Sequence, residues 1–561
     1  MAKNEKIETL FRAALSATPT ERTQSSDLST GFDEALKTWE VIVKYNGSLS
    51  PLTDKYPGLI FYELLGQYGV LMVPEAYIDA IAAEAFITYM EKPKALFYES
   101  TPGATASCVT ALQNRLPNLT GKGILVGIID SGIDYTHPDF QDENGSRILY
   151  LWDQTLNSLY PQELLTQALE NPSLCPSRDT SGHGTHVAGI AAGNGRASSG
   201  VNRGVAYESI LLVVKLGTPS PQGFPNTAQL MLGIDFCVRE SIRRNQPLAL
   251  NLSFGNTYGS HSGTSLLETY LNTVSQLGQI SILIGSGNEG ASAGHTQGIL
   301  KSGQSATIPF TISDYTPTLN LQLWKNYWDE FLVQLQPPTG NAISLPWQEG
   351  SWRYPLGETD LYAFVGSPTP YSPLQEIYLD LLPRDSYITP GVWSLRLIPQ
   401  RIRQGRFDVW MPSSALRGNQ SAFLYPTPET TLTIPSTAFL PITVAAYDSA
   451  SNTYANFSGR GFTREDRVAK PDLAAPGVDI ISCSPGGGYE MRTGTSMATP
   501  FVTGSAALLM QWGILEGNDP FLYGEKLKAY LINGTRTLPG ITEYPSREIG
   551  WGVLCVNDSI S

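Results

Sequence analysis

The sequence predicts an α/β protein: a parallel-sheet domain with helices on both faces, preceded by a small α+β domain and interrupted by an inserted β-sandwich. Three observations carry this. Four short β-branched runs, KGILVGIID, SILLVVKLG, PLALNLSFG and QISILIGSGN, each end in Gly, Asn, Asp or Ser, as strands buried on both faces do. Residues 296–426 instead alternate apolar and polar positions between Pro, Gly and Asp punctuation, as strands with one buried face do. The α/β pattern then resumes at FLPITVAAYD.

Residues 1–36 are polar and read as an arm with weak helical character. Residues 37–100 read as the α+β domain. TWEVIVKYNG is a strand with a turn at Asn46-Gly47, GVLMVPEAYIDAIAAE is a strand followed by a helix from Pro74, and ITYMEKPKALFYES is extended again. The α/β domain occupies 101–295 and 427–561 around the insertion at 296–426, which holds six of the ten tryptophans, dispersed as core residues would be. Polar residues gather at the C-terminal ends of the parallel strands, where open α/β sheets build their sites.

The formal charge is −14 and its acids are spread along the chain, which disfavours nucleic acid and anionic membranes as partners. No apolar run is long enough for a transmembrane helix, and the first residues, MAKNEKIETLFRAALS, lack a signal-peptide core. The expected localisation is therefore cytoplasmic or spore-associated. The five cysteines, Cys108, Cys175, Cys237, Cys483 and Cys555, are few, odd in number and widely spaced; they read as free thiols suited to a reducing compartment.

Three stretches carry chemistry. In GIIDSGIDYTHPDF, Asp130 ends a buried strand, where an Asp can also simply make a turn. In DTSGHGTHVAGIAAG, His183 opens a small apolar helix. His186 lies three residues on and could share a metal with it, but no carboxylate or cysteine stands at ligand spacing, so His186 reads as a packing residue. In RTGTSMATPFVTGSAALLMQW, Ser496 opens a helix, either as an ordinary cap or beside N–H groups able to stabilise an oxyanion. The order Asp, His, Ser is that of subtilisin, distinct from chymotrypsin and the α/β-hydrolases.

With the fourth segment SILIGSGNEG, these stretches resemble the subtilase family over about 121–298 and 427–555. The resemblance implies a serine endopeptidase with Ser496 as nucleophile, His183 as base, Asp130 orienting the imidazole, and the Asn288 amide donating to the oxyanion. It also implies a substrate-pairing strand at Ser253, Phe254 and Gly255, and an S1 wall at Ile284, Gly285 and Ser286. Glu289 would stand near the base or rim of that pocket, in a specificity role or as a solvated loop carboxylate. No cofactor and no metal are expected. The loop AAGNGRASSGVNRGVA lacks the longer Asn-rich calcium loop of secreted subtilisins, although Asp139 is present.

The large insertion and the N-terminal domain resemble the Csp-type proteases of spore-forming bacteria. That likeness implies a jelly-roll insertion and a prodomain that acts as chaperone and inhibitor, is cut between about Leu96 and Gly103, and stays bound non-covalently. The expected function is cleavage of a protein substrate, possible targets including a cortex-hydrolase precursor in spore germination. A broad housekeeping protease and a silent binding pseudoprotease are the alternatives.

Overall fold

The computed structural model describes residues 6–7, 9–16, 19, 31–33, 36–64, 67–91, 105–114, 118–217, 227–317, 319–346, 348–368, 372–417, 420–465 and 468–560. The chain forms two compact units, Met1–Glu99 and Ser100–Ser561.

In the first unit, the strand Thr38–Tyr45 lies at the centre of an antiparallel sheet with Tyr68–Pro74, Ile87–Glu91 and Phe32–Asp33, and Ile60–Leu64 pairs with Tyr68–Pro74. The helix expected from Pro74, Ile78–Ala83, starts one 3-10 turn after Pro74 rather than at it, because Glu75–Tyr77 takes up the change of direction. The expected polar arm is partly a structural element. Thr9–Ser16 is a helix, and Ile7, Phe11 and Ala14 are buried with Trp39 and Val41 in the core of this unit. Three apolar residues at helical spacing suffice to anchor a segment whose overall composition is polar.

The second unit is built on a nine-stranded sheet. Its parallel strands run in the order Ile148–Asp153, Ile210–Lys215, Leu125–Asp130, Leu248–Leu252, Ile280–Gly285, Ile442–Asp448 and Leu473–Pro476. Every residue of Leu125–Asp130, Leu248–Leu252 and Ile280–Gly285 is buried, which is why these strands read as continuous apolar runs. Helices His183–Ala192 and Thr495–Met510 cover one face through one apolar cluster; Thr227–Arg244 and Leu266–Ser275 cover the other.

Between the strands Ile280–Gly285 and Ile442–Asp448 the chain forms two antiparallel sheets. One is six-stranded, ordered His295–Ile299, Arg406–Trp410, Leu319–Asn326, Leu374–Pro383, Thr359–Val365, Gly350–Leu356. The other is five-stranded, ordered Ile343–Leu345, Glu330–Gln336, Gly391–Arg401, Ala306–Ile312, Ala422–Phe423. Alternate residues such as Leu319, Leu321 and Leu323 from the first and Phe331, Val333 and Leu335 from the second form a shared core, making a β-sandwich. Trp393 belongs to that core, whereas Trp328 is substantially exposed and Trp410 packs outside it, so core packing does not account for all these tryptophans.

The expectation of five free thiols is overturned. Cys108 and Cys555, 447 residues apart, form a disulfide with a Cα–Cα distance of 4.9 Å, while Cys175, Cys237 and Cys483 are buried thiols. Spacing along the chain hid the pair, and the bond removes the support that free thiols lent to a reducing compartment. No helix among the described residues is long and apolar enough to cross a membrane.

Candidate active site

Asp130 is the last residue of the central strand Leu125–Asp130 and is fully buried. His183 opens the helix His183–Ala192, and its Nδ1 donates to Asp130 Oδ1 at 2.7 Å. The approach is close because residue 184 is glycine: a Cβ there would lie 2.1 Å from the Gly132 carbonyl oxygen and 3.1 Å from Asp130 Cβ.

Asp179, which sequence reasoning passed over, fixes this corner. Its Oδ1 accepts from the Gly182 N–H and the Ser131 hydroxyl, and its Oδ2 from the N–H and hydroxyl of Thr185. An Asp four residues before the His, at a helix start, was a visible capping signal.

Burial pulls the His183 pKa down, but the charge of Asp130 and its hydrogen bond outweigh that loss, and the net shift is upward. Asp130 Oδ1 also accepts the Ser131 N–H at 2.7 Å, whereas its Oδ2 is buried without a partner among the described residues.

Ser496 is the second residue of the helix Thr495–Met510, so its N–H is among those with no intrahelical acceptor. Its hydroxyl donates to the Ser253 carbonyl at 3.4 Å. Asn288 follows the strand Ile280–Gly285. Its Oδ1 accepts the N–H of Thr495 at 3.0 Å and the Thr495 hydroxyl at 3.1 Å, which leaves its amide nitrogen as the outward donor. His183, Asn288, Arg492 and Ser496 line one cleft. Arg492, also missed from sequence, donates to the Ser181 carbonyl at 2.7 Å.

An adjoining cleft of about 260 Å³ is lined by Ser253, Phe254 and Gly255 on one side and Gly285, Asn288 and Glu289 on the other. The expected wall is only partly there. Ile284 points into the core among Ile282 and Leu252, and Ser286 is buried with its hydroxyl 3.1 Å from that of Ser458. Strand alternation sends 284 and 285 to opposite faces, so of the three it is Gly285, bare of side chain, that reaches the cleft. Glu289 is not solvated: it is 8% exposed, and its carboxylate accepts the Ser414 N–H at 3.1 Å and the Ser414 hydroxyl at 3.1 Å.

His186 is fully buried. Its Nε2 contacts the carbonyls of Ile480 and Glu490 at 3.0 and 3.1 Å, and burial lowers its pKa to about 4. It packs rather than ligates.

His137, Asp139 and Cys483 do converge, but each is already engaged in hydrogen bonds. His137 Nδ1 accepts the Asp139 N–H at 3.1 Å and its Nε2 meets the Gly488 carbonyl at 2.9 Å. Asp139 accepts the Ala197 N–H and the Tyr489 hydroxyl, both at 2.8 Å, and burial pushes the Cys483 thiol well up. This donor set does not fit the calcium ion of secreted subtilisins, a hard cation that requires free oxygens.

Known proteins resemble this chain in both of its parts. The model of the subtilase family matches residues 121–334 and 415–552, and the model of the Csp protease B prodomain matches residues 5–94. The solved structure of the Clostridium perfringens CspB protease is similar over 82% of this chain and 97% of its own, with 37% identity and a TM-score of 0.77. The minor extracellular protease Vpr of Bacillus subtilis (strain 168) is 26% identical over 449 residues, 75% of this chain and 49% of that protein. The serine protease AprX of the same organism is 35% identical over 121 residues, 22% of each chain. The chain thus spans about half the length of the first of these curated relatives, and less of the second.

Proposed function

The chain belongs to the subtilase family, and on that premise we propose that it is a serine endopeptidase whose catalytic residues are Asp130, His183, Ser496 and Asn288. The observation that carries the reading is the 2.7 Å contact of His183 with the buried Asp130, in a histidine that shares its cleft with Ser496 and Asn288.

With Nδ1 committed to Asp130, the free ring nitrogen of His183 is Nε2, and this is the base. The Ser496 hydroxyl turns from the Ser253 carbonyl to Nε2, passes its proton there, and its oxygen bonds to the scissile carbonyl carbon. The carbonyl oxygen becomes an oxyanion received by the Asn288 amide and the Ser496 N–H. The imidazolium returns the proton to the leaving amine as the C–N bond breaks, leaving an acyl-enzyme. Water then adds with His183 again taking its proton, and Ser496 is restored. The substrate backbone pairs with Ser253–Gly255 as an added strand, the P1 side chain entering between Gly255 and Gly285.

Residues 5–94 supply a prodomain of the Csp protease B kind, and we assign the enzyme a cut in its own chain between about Leu96 and Gly103, after which the prodomain stays bound non-covalently. That segment lies outside the described residues. A protein precursor acted on in spore germination is the substrate this likeness favours.

The test is a fluorophosphonate probe and mass spectrometry on wild type and Ser496→Ala. Labelling and two co-eluting fragments in the wild type, with neither in the variant, are expected. An unlabelled wild type overturns the assignment.

A further inference from the structure

The six-stranded sheet of the sandwich has a second, outward face. There Trp324 and Glu376 are directly paired across neighbouring strands, and Phe364, on the next strand, is paired with Tyr378. With Glu349 and the segment carrying Gly259 and Ser265, Trp324, Glu376 and Phe364 line a cleft of about 610 Å³, separate from the residues that line the candidate active site.

The chemistry of this cleft is one-sided. Among the described residues its lining includes two carboxylates and no Lys, Arg or His. The Glu376 carboxylate makes no hydrogen bond or ion pair among the described residues, and burial pushes its pKa up, as happens to a carboxylate with no counter-charge. Phe364 is 45% exposed although it stands on a sandwich strand. Trp324 Nε1 is buried without a partner among the described residues. The wall is fixed by Gln322, 2% exposed, whose Oε1 accepts the Gly259 N–H at 3.0 Å while its Nε2 is also unpaired. Arg464 donates to the Trp324 carbonyl but is already paired with Asp408 at 2.7 Å. Aromatic faces beside an uncompensated carboxylate suit a cation on a flexible apolar stem.

Gly259 lies four residues beyond Gly255, which follows the strand Leu248–Leu252, and between them Asn256 bridges to Ile434. Six residues of extended chain reach at most about 20 Å. A peptide antiparallel to Ser253–Gly255, with its scissile bond at Ser496, runs toward its own N-terminus in this direction.

We propose that this cleft is an exosite for a lysine or arginine side chain of the polypeptide substrate, about five to eight residues upstream of the scissile bond. Occupancy supplies Glu376 with its missing counter-charge and selects substrates by a feature remote from the cut. The assignment to substrate rests on the proteolytic reading; the cation site itself does not.

Binding is therefore read first, on the full chain carrying Ser496→Ala and fluorine-labelled tryptophan, with Trp324→Phe identifying the Trp324 resonance. Nα-acetyl-lysine methylamide should shift that resonance saturably, and the uncharged norleucine equivalent should not. Glu376→Gln should weaken the lysine response at least about fivefold, as loss of a charged partner does. Glu349→Gln, at an exposed position, repeats the test without touching the buried carboxylate. An unmoved resonance, or an equal response to norleucine, overturns the site. Cleavage is read second. Matched peptides with lysine or norleucine five to eight residues upstream should differ in KM and not in kcat, and Glu376→Gln should abolish the difference. Lysine binding with equal KM values overturns the link to substrate. Failure of proteolysis itself would show as an unlabelled wild type, and leaves the binding result standing.

Discussion

The Trp410 indole stacks on the His261 imidazole with centroids 4.2 Å apart and planes 13° from parallel. His295 also stacks on that indole, with centroids 4.6 Å apart and planes 11° from parallel, and Trp410 Nε1 donates to the Thr430 carbonyl at 3.2 Å. Trp410 belongs to the sandwich and His261 to the segment that continues the substrate strand, so this stack joins the insertion to the catalytic body. Trp410→Ala should destabilise the protein by about 3–5 kcal/mol, as loss of a buried Trp does, measured by denaturant unfolding. Unchanged stability would show that the sandwich is held elsewhere.

The pH dependence follows from His183. Its base form is the neutral one, and its pKa is raised, so kcat/KM should rise with pH through an apparent value above the ordinary 6.5 or so. For stability the sign is opposite. The contribution of His183 is complete below its unfolded pKa and is lost as pH rises through the higher folded value. Asp130→Asn removes the two largest raising influences and leaves burial and the charge of Arg492, which lower the pKa, opposed only by the weaker influence of Asp179. The acid limb of the profile should move down in that variant while the maximal rate falls. An unmoved limb would assign the titration to another group.

Asn288→Ala should retain probe labelling while kcat falls about 10²–10³-fold, a magnitude taken over from subtilisin, where loss of the corresponding donor has that effect. Thr495→Val should act in the same direction and more weakly, because the Thr495 hydroxyl helps to hold Asn288 Oδ1. A full-rate Asn288→Ala enzyme would remove this residue from the oxyanion site.

Chelation should leave the melting temperature unchanged, since Asp139 spends its oxygens on Ala197 and Tyr489 rather than on a cation. Tyr489→Phe should lower stability by about 1–3 kcal/mol through the lost bond to a buried carboxylate. A chelator-dependent melting temperature would show that a metal binds after all.

What was legible in the sequence was local. Asp130, His183, Ser496 and Asn288 each stand at the end of a strand or the start of a helix, and a β-branched run ending in a polar residue is visible in a few letters. The strand Leu473–Pro476 was not legible, because LAAP has neither a β-branched residue nor alternation and is a strand only by its neighbour Ile442–Asp448. Likewise Glu289 meets Ser414 across 125 residues, and no spacing rule reaches so far. The S1 wall was misread for a different reason: three consecutive residues of a strand cannot all face one cleft, and Ile284 and Ser286 turn inward.

The bond between Cys108 and Cys555 makes a ring of almost the whole second unit. A ring answers a single cut differently from an open chain. One nick in any surface loop between these residues releases nothing, and only a second nick can free a piece. The first unit precedes Cys108 in the chain and so lies outside the ring, where one cut breaks its covalent tie to the second. The same single cut by any protease therefore has a different outcome on either side of Cys108: two chains before it, one continuous covalent body after it.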